Sequence, residues 1–369
     1  MAALHSRLDG VSPYQFDVGR SVLDVERLLV QLTEIPAPDF DLVKTLDSGQ
    51  VFHWEKIDNG FCGTIDDVAV YVEQRSDALG VHAKAASASS RCVGEHGQDA
   101  HATKLLVRNY FALDHPLAEI CASFPDDPIM NAARKFCRGL RIIRQSRWEC
   151  LATFICSSMK QIAHIRQISR RLRERFGDAR KIDNGAGGSR ATSTGRPARV
   201  DEPGGESINH LVYTFPSAQR VAESSEKELR ECALGYRAKN LLATARLVRS
   251  RAADLDAWAA LSDVDLREKL CQLPGVGAKV ANCVMLFAYE RLRAFPIDVW
   301  IERVLREKYF PRKRKVTRQR LRAFSELYFG KHGGYAQQYL FHHARAAARS
   351  HRTAKIDNQE RRNLSARGR

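Results

Sequence analysis

Leu273-Pro274-Gly275-Val276-Gly277-Ala278-Lys279-Val280-Ala281, with Pro296-Ile297-Asp298-Val299 following so that the aspartate lies nineteen residues after the lysine, is the stretch that decides how this chain folds. Leu270 and Leu273 close one helix, Pro274 to Gly277 makes a tight turn, and Ala278 to Ala288 opens an apolar helix, giving a helical hairpin over residues 270–288. Two glycines between two helices let the backbone approach a ligand, while the first N–H groups of the second helix point outward without partners. Backbone N–H groups of Gly275, Gly277 and Val280 could hold a nucleic-acid phosphate in this way without reading base sequence. An ordinary helix–turn–helix corner uses the same glycines, so the turn alone settles nothing. The Walker A spacing is missing, as are the third glycine and the preceding strand of a dinucleotide fingerprint.

Lys279 falls in the first turn of the second helix, where the helix dipole disfavours a cation. That placement favours loss of the amine's proton, which an amine nucleophile needs; a phosphate-binding or solvated lysine is the plain alternative. Asp298 stands in an otherwise apolar segment, and its plain reading is the N-cap of a helix starting at Val299. Lysine, aspartate and glycine hairpin together make the chemical reading the stronger one.

The surrounding chain has 369 residues, with 59 Lys/Arg against 43 Asp/Glu and a net charge of +16. A surplus of this size makes a polyanion the first partner to consider. The longest unbroken apolar run, 283–289, is far short of the roughly 18 residues of a membrane span. The N-terminus shows no apolar signal segment, so an intracellular protein is expected, in the nucleus of a eukaryote or the cytoplasm and nucleoid of a bacterium. Nine scattered cysteines without a C-x-x-C pair read as reduced thiols and remove the usual zinc and redox signals.

Before about residue 139 the pattern is strand-like: Val51 to Ile57 and Val68 to Glu73 alternate, with Asp58-Asn59-Gly60 as a turn. Beyond it the period is helical, with capping-box signals at Ser146/Glu149 and Ser225/Glu228 and a helix stop at Gly235. The expected class is α+β: an N-terminal antiparallel sheet domain over residues 1–138, then an all-α helix–hairpin–helix domain over 139–349. Residues 75–103 and 178–209 lack periodicity and read as flexible inserts, and 350–369 as a loose basic tail.

Taken with Ser48-Gly49-Gln50-Val51-Phe52-His53-Trp54, Glu149 to Ser158, Leu234-Gly235-Tyr236-Arg237-Ala238 and Tyr335 to Phe341, the hairpin and Asp298 resemble the helix–hairpin–helix DNA glycosylases, and among them the 8-oxoguanine DNA glycosylases. The matching segments occur in the family's order over about residues 40–345. The resemblance implies a bifunctional glycosylase and β-lyase acting on damaged double-stranded DNA, with the base flipped out of the duplex. It implies Lys279 as the nucleophile at C1′ and Asp298 as the group stabilising the developing oxocarbenium charge. Also by resemblance, the Gly49 carbonyl reads N7–H of the lesion, Cys283 and Phe341 sandwich the base, and Gln337 bonds its Watson–Crick edge. Tyr236 wedges beside the base left behind, and Arg237 bonds that cytosine. No metal or organic cofactor is implied, since the lysine supplies the nucleophile, and a monomer is expected. A glycosylase for another damaged base and a non-catalytic DNA-binding module are the alternatives.

Three positions depart from the family pattern. Met159-Lys160-Gln161 replace a run of asparagines, His164 replaces a second cytosine-reading arginine, and Trp300 replaces a phosphate-contacting histidine. Methionine can fill the hole left by an extruded base but cannot hydrogen-bond the estranged cytosine, so weak discrimination for the opposite base is expected. Ten Lys/Arg between Arg303 and Arg322, against the single acid Glu307, suit an electrostatic surface for DNA.

Overall fold

The structure is a computed structural model that describes residues 32–84, 96–183, 209–312 and 315–367. The chain begins with β1 (Thr33–Pro36) and α1 (Leu42–Asp47), whose first turn is capped by Asp41 accepting from the Lys44 N–H. A meander follows: β2 (Glu55–Ile57), β3 (Gly60–Ile65), β4 (Val68–Arg75) and β5 (Ala78–Lys84). These form an antiparallel five-stranded sheet in the order β1-β5-β4-β3-β2. Three helices lead out of it, α2 (His96–Tyr110), α3 (Leu117–Ala122) and α4 (Pro128–Phe136).

The helical part continues with α5 (Arg147–Ser157) and α6 (Ile162–Phe176). A two-stranded ribbon comes next, β6 (Ala179–Asp183) paired with β7 (Asn209–Tyr213). Then come α7 (Ala218–Glu223), α8 (Glu226–Leu229), α9 (Arg237–Arg249), α10 (Asp263–Cys271), α11 (Ala278–Ala288), α12 (Val299–Val304), α13 (Arg318–Tyr328) and α14 (Gly333–Arg367).

The sheet is covered on both faces, which is why β4 reads as a run of buried residues rather than a clean alternation. Val70, Val72, Leu79 and Val81 pack with Leu42 and Leu46 of α1 and with Val107 and Phe111 at the end of α2. Cys62, Ala69 and Tyr71 face the other way, onto Ile182 of β6. A larger core fills the helical part, built around Leu151, Phe154, Leu241, Leu270, Val284 and Tyr339.

The α+β class expected from the sequence is what the chain adopts. Several segments differ from the reading above. Within 75–103, residues 78–84 form β5, which lies between β1 and β4, and α2 starts at His96; 85–95 lie outside the described residues. Within 178–209 the ends pair as β6 and β7, and 184–208 lie outside the described residues. Residues 350–367 continue the helix α14. Leu117, Ile120, Met130 and Ala133, placed with the sheet domain by the boundary at 138, pack in the helical core.

The two capping-box signals also part company. Ser225 and Glu228 form the reciprocal bonds. Ser146 precedes α5 without a side-chain cap, because Glu149 turns inward to the Arg173 guanidinium instead. Gly235 ends its helical segment as expected. Among the described residues every cysteine is a free thiol, and only Cys271 is exposed; Cys92 lies outside them.

Candidate active site

The hairpin forms where the sequence placed it. Gly275 holds φ +81°, a left-handed turn that L side chains rarely adopt, and Thr244 Oγ1 donates to the Pro274 carbonyl at 3.0 Å to fix the turn on α9. Gly277 is the N-cap of α11 and offers no side chain to its first N–H groups. Gly275 and Gly277 are exposed, while the Val280 side chain anchors the helix in the core. The turn therefore presents unpaired backbone donors at the surface, the arrangement an anion can use.

Lys279 lies one residue into α11, half-buried. Its ammonium lies 4.9 Å from the centre of the Phe154 ring and 3.5 Å from Ser157 Oγ, both on α5. Phe154 is itself stacked on Phe287, 5.5 Å between centroids with planes 10° apart, so the floor beneath the lysine is rigid. Cys283 follows one helical turn after Lys279, on the same face. Burial pushes its thiol up, against the opposing pull of the Lys279 charge.

Asp298 is indeed the N-cap of α12: Oδ1 accepts from the Trp300 N–H at 3.0 Å and the Ile301 N–H at 2.9 Å. This plain role and the chemical one coexist, because capping uses one oxygen. Burial raises the carboxyl above its ordinary value, while the two N–H bonds and the nearby Lys279 charge pull the other way. Ion pairing at contact distance between Lys279 and Asp298 is absent from the described residues. The Trp300 ring lies under the Arg303 guanidinium, 5.3 Å from its centre.

Gly49 comes two residues after α1 ends, at φ +84°. A Cβ there would stand 2.8 Å from Ile162 Cδ1, 3.1 Å from Arg345 Nη1 and 3.2 Å from Phe341 Cε1, so only glycine allows the close approach. The preceding carbonyl, Ser48, accepts from Gln338 Nε2 at 3.0 Å and Arg345 Nη1 at 3.4 Å, which ties α1 to α14. Gln337, Phe341 and Arg345 follow one another at four-residue intervals on one face of α14. Gln337 is 4 % exposed, and its carboxamide oxygen is buried without a protein partner. A buried acceptor left open in this way is costly unless something else supplies the hydrogen.

A second cluster lies at the end of α5. Met159 is 90 % exposed with φ +57°, in the short turn before α6, and His164 is exposed in the first turn of α6. Tyr236 is exposed at the start of α9, with the Arg237 guanidinium 4.4 Å from its ring centre. Arg237, the residue that the resemblance has bonding the estranged cytosine, is turned toward the protein here. It is buried and donates through Nε (2.7 Å) and Nη2 to the Ser158 carbonyl and through Nη1 to Leu234 O. Arg237 thus joins the Tyr236 turn to the Met159 turn. Of the basic run 303–322, Arg306 lies half-buried against Glu302, while the other described Lys/Arg are exposed; Lys313 and Arg314 lie outside the described residues.

Phe154 and Ser157 lie within the Glu149 to Ser158 stretch with no role legible in the sequence, and Arg345 carries no sequence signal at all. Nothing local marks an arginine in a basic helix as buried; only the approach of α14 to α1 does so.

Comparison with known proteins agrees with this geometry. Residues 32–151 match the family described as 8-oxoguanine DNA glycosylase, N-terminal domain, and residues 152–328 match the HhH-GPD superfamily of base excision DNA repair proteins. The chain is 29 % identical over 316 residues to the N-glycosylase/DNA lyase OGG1 of Arabidopsis thaliana, covering 82 % of this chain and 77 % of that one. A probable N-glycosylase/DNA lyase of Methanothermobacter thermautotrophicus is 26 % identical, over 84 % of this chain and 95 % of its own. The Clostridium acetobutylicum 8-oxoguanine glycosylase/lyase, solved with double-stranded DNA containing cytosine opposite 8-oxoguanine, superposes with a TM-score of 0.68 at 27 % identity, covering 84 % of this chain and 93 % of that one. With its hairpin, its lysine and aspartate and both family matches in sequence order, the chain belongs to the 8-oxoguanine DNA glycosylases of the HhH-GPD superfamily.

Proposed function

We propose that this protein is a bifunctional DNA glycosylase and lyase that excises 8-oxoguanine from duplex DNA, with Lys279 as nucleophile. The observation that carries the reading is one half-buried lysine whose charge reaches a half-buried aspartate, with a glycine at φ +84° close to Phe341 and the buried open acceptor of Gln337 on the same helix face as Phe341. A non-catalytic DNA-binding module would need none of these.

The target base must leave the stack before C1′ can be reached. The extruded base then lies between Cys283 and Phe341, donates from its Watson–Crick edge to the open Gln337 oxygen, and donates N7–H to the Gly49 carbonyl. Guanine has no hydrogen on N7, so this last bond selects the lesion. The Lys279 amine attacks C1′, the C1′–N9 bond breaks, and its electron pair leaves with the base. Asp298 faces the positive charge that develops on the sugar. Loss of a proton from nitrogen opens the sugar as a Schiff base, and removal of a C2′ proton expels the 3′ phosphate by β-elimination.

Borohydride trapping tests this directly. Full-length protein is incubated with duplexes carrying 8-oxoguanine opposite cytosine, a preformed abasic site, or no damage. A covalent adduct with the first two and none with the third supports the proposal. An adduct with abasic DNA alone keeps the lyase and moves the question to another base; no adduct from protein that binds DNA leaves a binding module.

Met159 and Tyr236 stand exposed where the duplex would be opened. A thioether fills the vacated space without a strong donor or acceptor for the estranged base. Single-turnover excision opposite cytosine and opposite adenine should therefore differ by less than about tenfold. Met159→Asn should widen the ratio by roughly 3- to 10-fold, the effect of one added hydrogen bond. Strong preference for cytosine in the unaltered protein would count against this reading.

A further inference from the structure

Arg345 has no part in the chemistry described so far, yet it lies in the middle of the recognition face. Its side chain is 7 % exposed, and its guanidinium lies 5.1 Å from the centre of the Phe341 ring. Its hydrogen bond to protein is the long one to the Ser48 carbonyl, 3.4 Å. No carboxylate among the described residues lies within ion-pair distance of it: Asp47, the nearest acid by charge, is taken by Arg166 and Arg349. Burial, joined by the Arg349 and Arg166 charges, pushes Arg345 down to about 10 against the weaker pull of Asp47 and Asp298. A guanidinium has five donors and is expensive to bury without partners. One weak bond and a ring face do not account for it.

Its position along α14 shows what the missing partner is. Gln337 and Arg345 are eight residues apart on one face, about 12 Å along the axis, with Phe341 midway. A purine stacked on Phe341 with its Watson–Crick edge toward Gln337 turns its opposite, five-membered-ring edge toward Arg345. Gly49 meets the same edge, since a Cβ placed there would lie 3.1 Å from Arg345 Nη1. On that edge 8-oxoguanine presents N7–H flanked by two carbonyl oxygens, at C8 and C6. Gly49 can accept the hydrogen, but a backbone carbonyl offers the flanking oxygens nothing.

Resting on the substrate reading above, we infer that Arg345 is a second specificity-determining residue, donating to the C8 carbonyl oxygen beside N7–H of the extruded 8-oxoguanine, the oxygen that guanine lacks. Stacking on Phe341 and the Ser48 bond hold the guanidinium ready, and the lesion supplies the acceptor that the protein lacks. Discrimination is then shared between one acceptor, Gly49, and one donor, Arg345, meeting a complementary edge.

The test separates base recognition from everything that does not need the base. Single-turnover excision of 8-oxoguanine opposite cytosine and cleavage of a preformed abasic duplex are measured for the unaltered protein, Arg345→Met and Arg345→Lys. Loss of a charge-assisted bond predicts that Arg345→Met slows excision about 10- to 100-fold more than it slows abasic cleavage, with Arg345→Lys in between because it keeps a donor. Equal slowing of both reactions overturns the inference and makes Arg345 a prop for α14 or a phosphate ligand, since abasic DNA keeps its phosphates. No change in either reaction also overturns it. If Arg345→Met does not fold, the lysine variant decides alone by the same comparison. An unaltered protein that cleaves abasic DNA but leaves 8-oxoguanine in place overturns the substrate reading and this inference with it, by a signature distinct from the others.

Discussion

Lys279→Gln is expected to abolish base excision, strand cleavage and borohydride trapping together, lowering the single-turnover rate by roughly 10⁴-fold or more, as removal of an enzyme's nucleophile does. Glutamine is one atom shorter but keeps an aliphatic stem and a polar end toward Phe154 and Ser157, so the fold and DNA affinity should persist. Binding of an 8-oxoguanine duplex within about threefold of the unaltered protein, by fluorescence anisotropy, would show that chemistry alone has been lost. Retained trapping in Lys279→Gln would move the nucleophile elsewhere. Asp298 adds a pH signature to the same experiment. Its carboxyl is raised by burial above the ordinary 3.8, and only the ionised form can face a positive sugar. As pH falls through that raised value the enzyme takes up a proton and activity drops, so the acid limb of the rate profile should lie above the range of an exposed aspartate. Asp298→Asn should remove the limb. It keeps an N-cap oxygen for the Trp300 and Ile301 N–H groups, so lost activity there is not lost folding.

The largest stability effect is expected at Arg173, far from the lysine. This buried guanidinium on α6 pairs through Nη2 with Glu149 of α5 and donates through Nη1 to Thr64 Oγ1 of β3 and to Tyr213 O of β7, both at 2.9 Å. Four elements meet on one side chain. His53 stands 3.5 Å from the same carboxylate, but burial and the Arg173 charge push it well below its ordinary value, so in the unaltered protein Arg173 is the cation paired with Glu149. Arg173→Met should therefore cost about 3–5 kcal/mol by leaving a buried carboxylate without its partner. At this chain length that lowers Tm by roughly 4–6 °C. Burial already raises Glu149 despite Arg173, and removing the cation raises it further. The folded variant then holds a proton that the unfolded chain releases at the same pH, so the deficit should shrink as pH falls toward the ordinary glutamate value. Adding Glu149→Gln should recover most of the loss at neutral pH. A deficit that is constant between pH 5 and 8 would place the damage in packing instead of charge.

These two sites show what could be read from sequence and what could not. The hairpin was legible because leucines, two glycines and a run of apolar residues each act within a few positions. Lys279 and Asp298 were legible as a pair at a fixed spacing, and the Ser225/Glu228 capping box is local by nature. Glu149 carried the same local signature and was misread. Its competing partner, Arg173, lies twenty-four residues away and becomes a neighbour only when α6 packs on α5. β5 was hidden by its composition: Ala78-Leu79-Gly80-Val81-His82-Ala83-Lys84 has few β-branched residues, yet it pairs on both sides, with β1 and with β4. The β6–β7 ribbon joins strands separated by a long polar stretch, so no turn signal announces it. Arg345 and Arg237 vanish among 59 basic residues until the fold buries them.

The φ +84° turn at Gly49 has a consequence for how such an enzyme can change over generations. In the proposed recognition, the acceptor of the pair that tells damaged from intact guanine is a main-chain oxygen, which every codon encodes alike. No substitution at position 49 can retune its chemistry; substitution can only push it out of place, by colliding with Ile162 or Phe341. Selectivity for the lesion is thus insulated from gradual drift at its own residue. It can be altered only from outside, through the neighbours that set where that oxygen stands, among them Gln338 and Arg345 on the helix opposite.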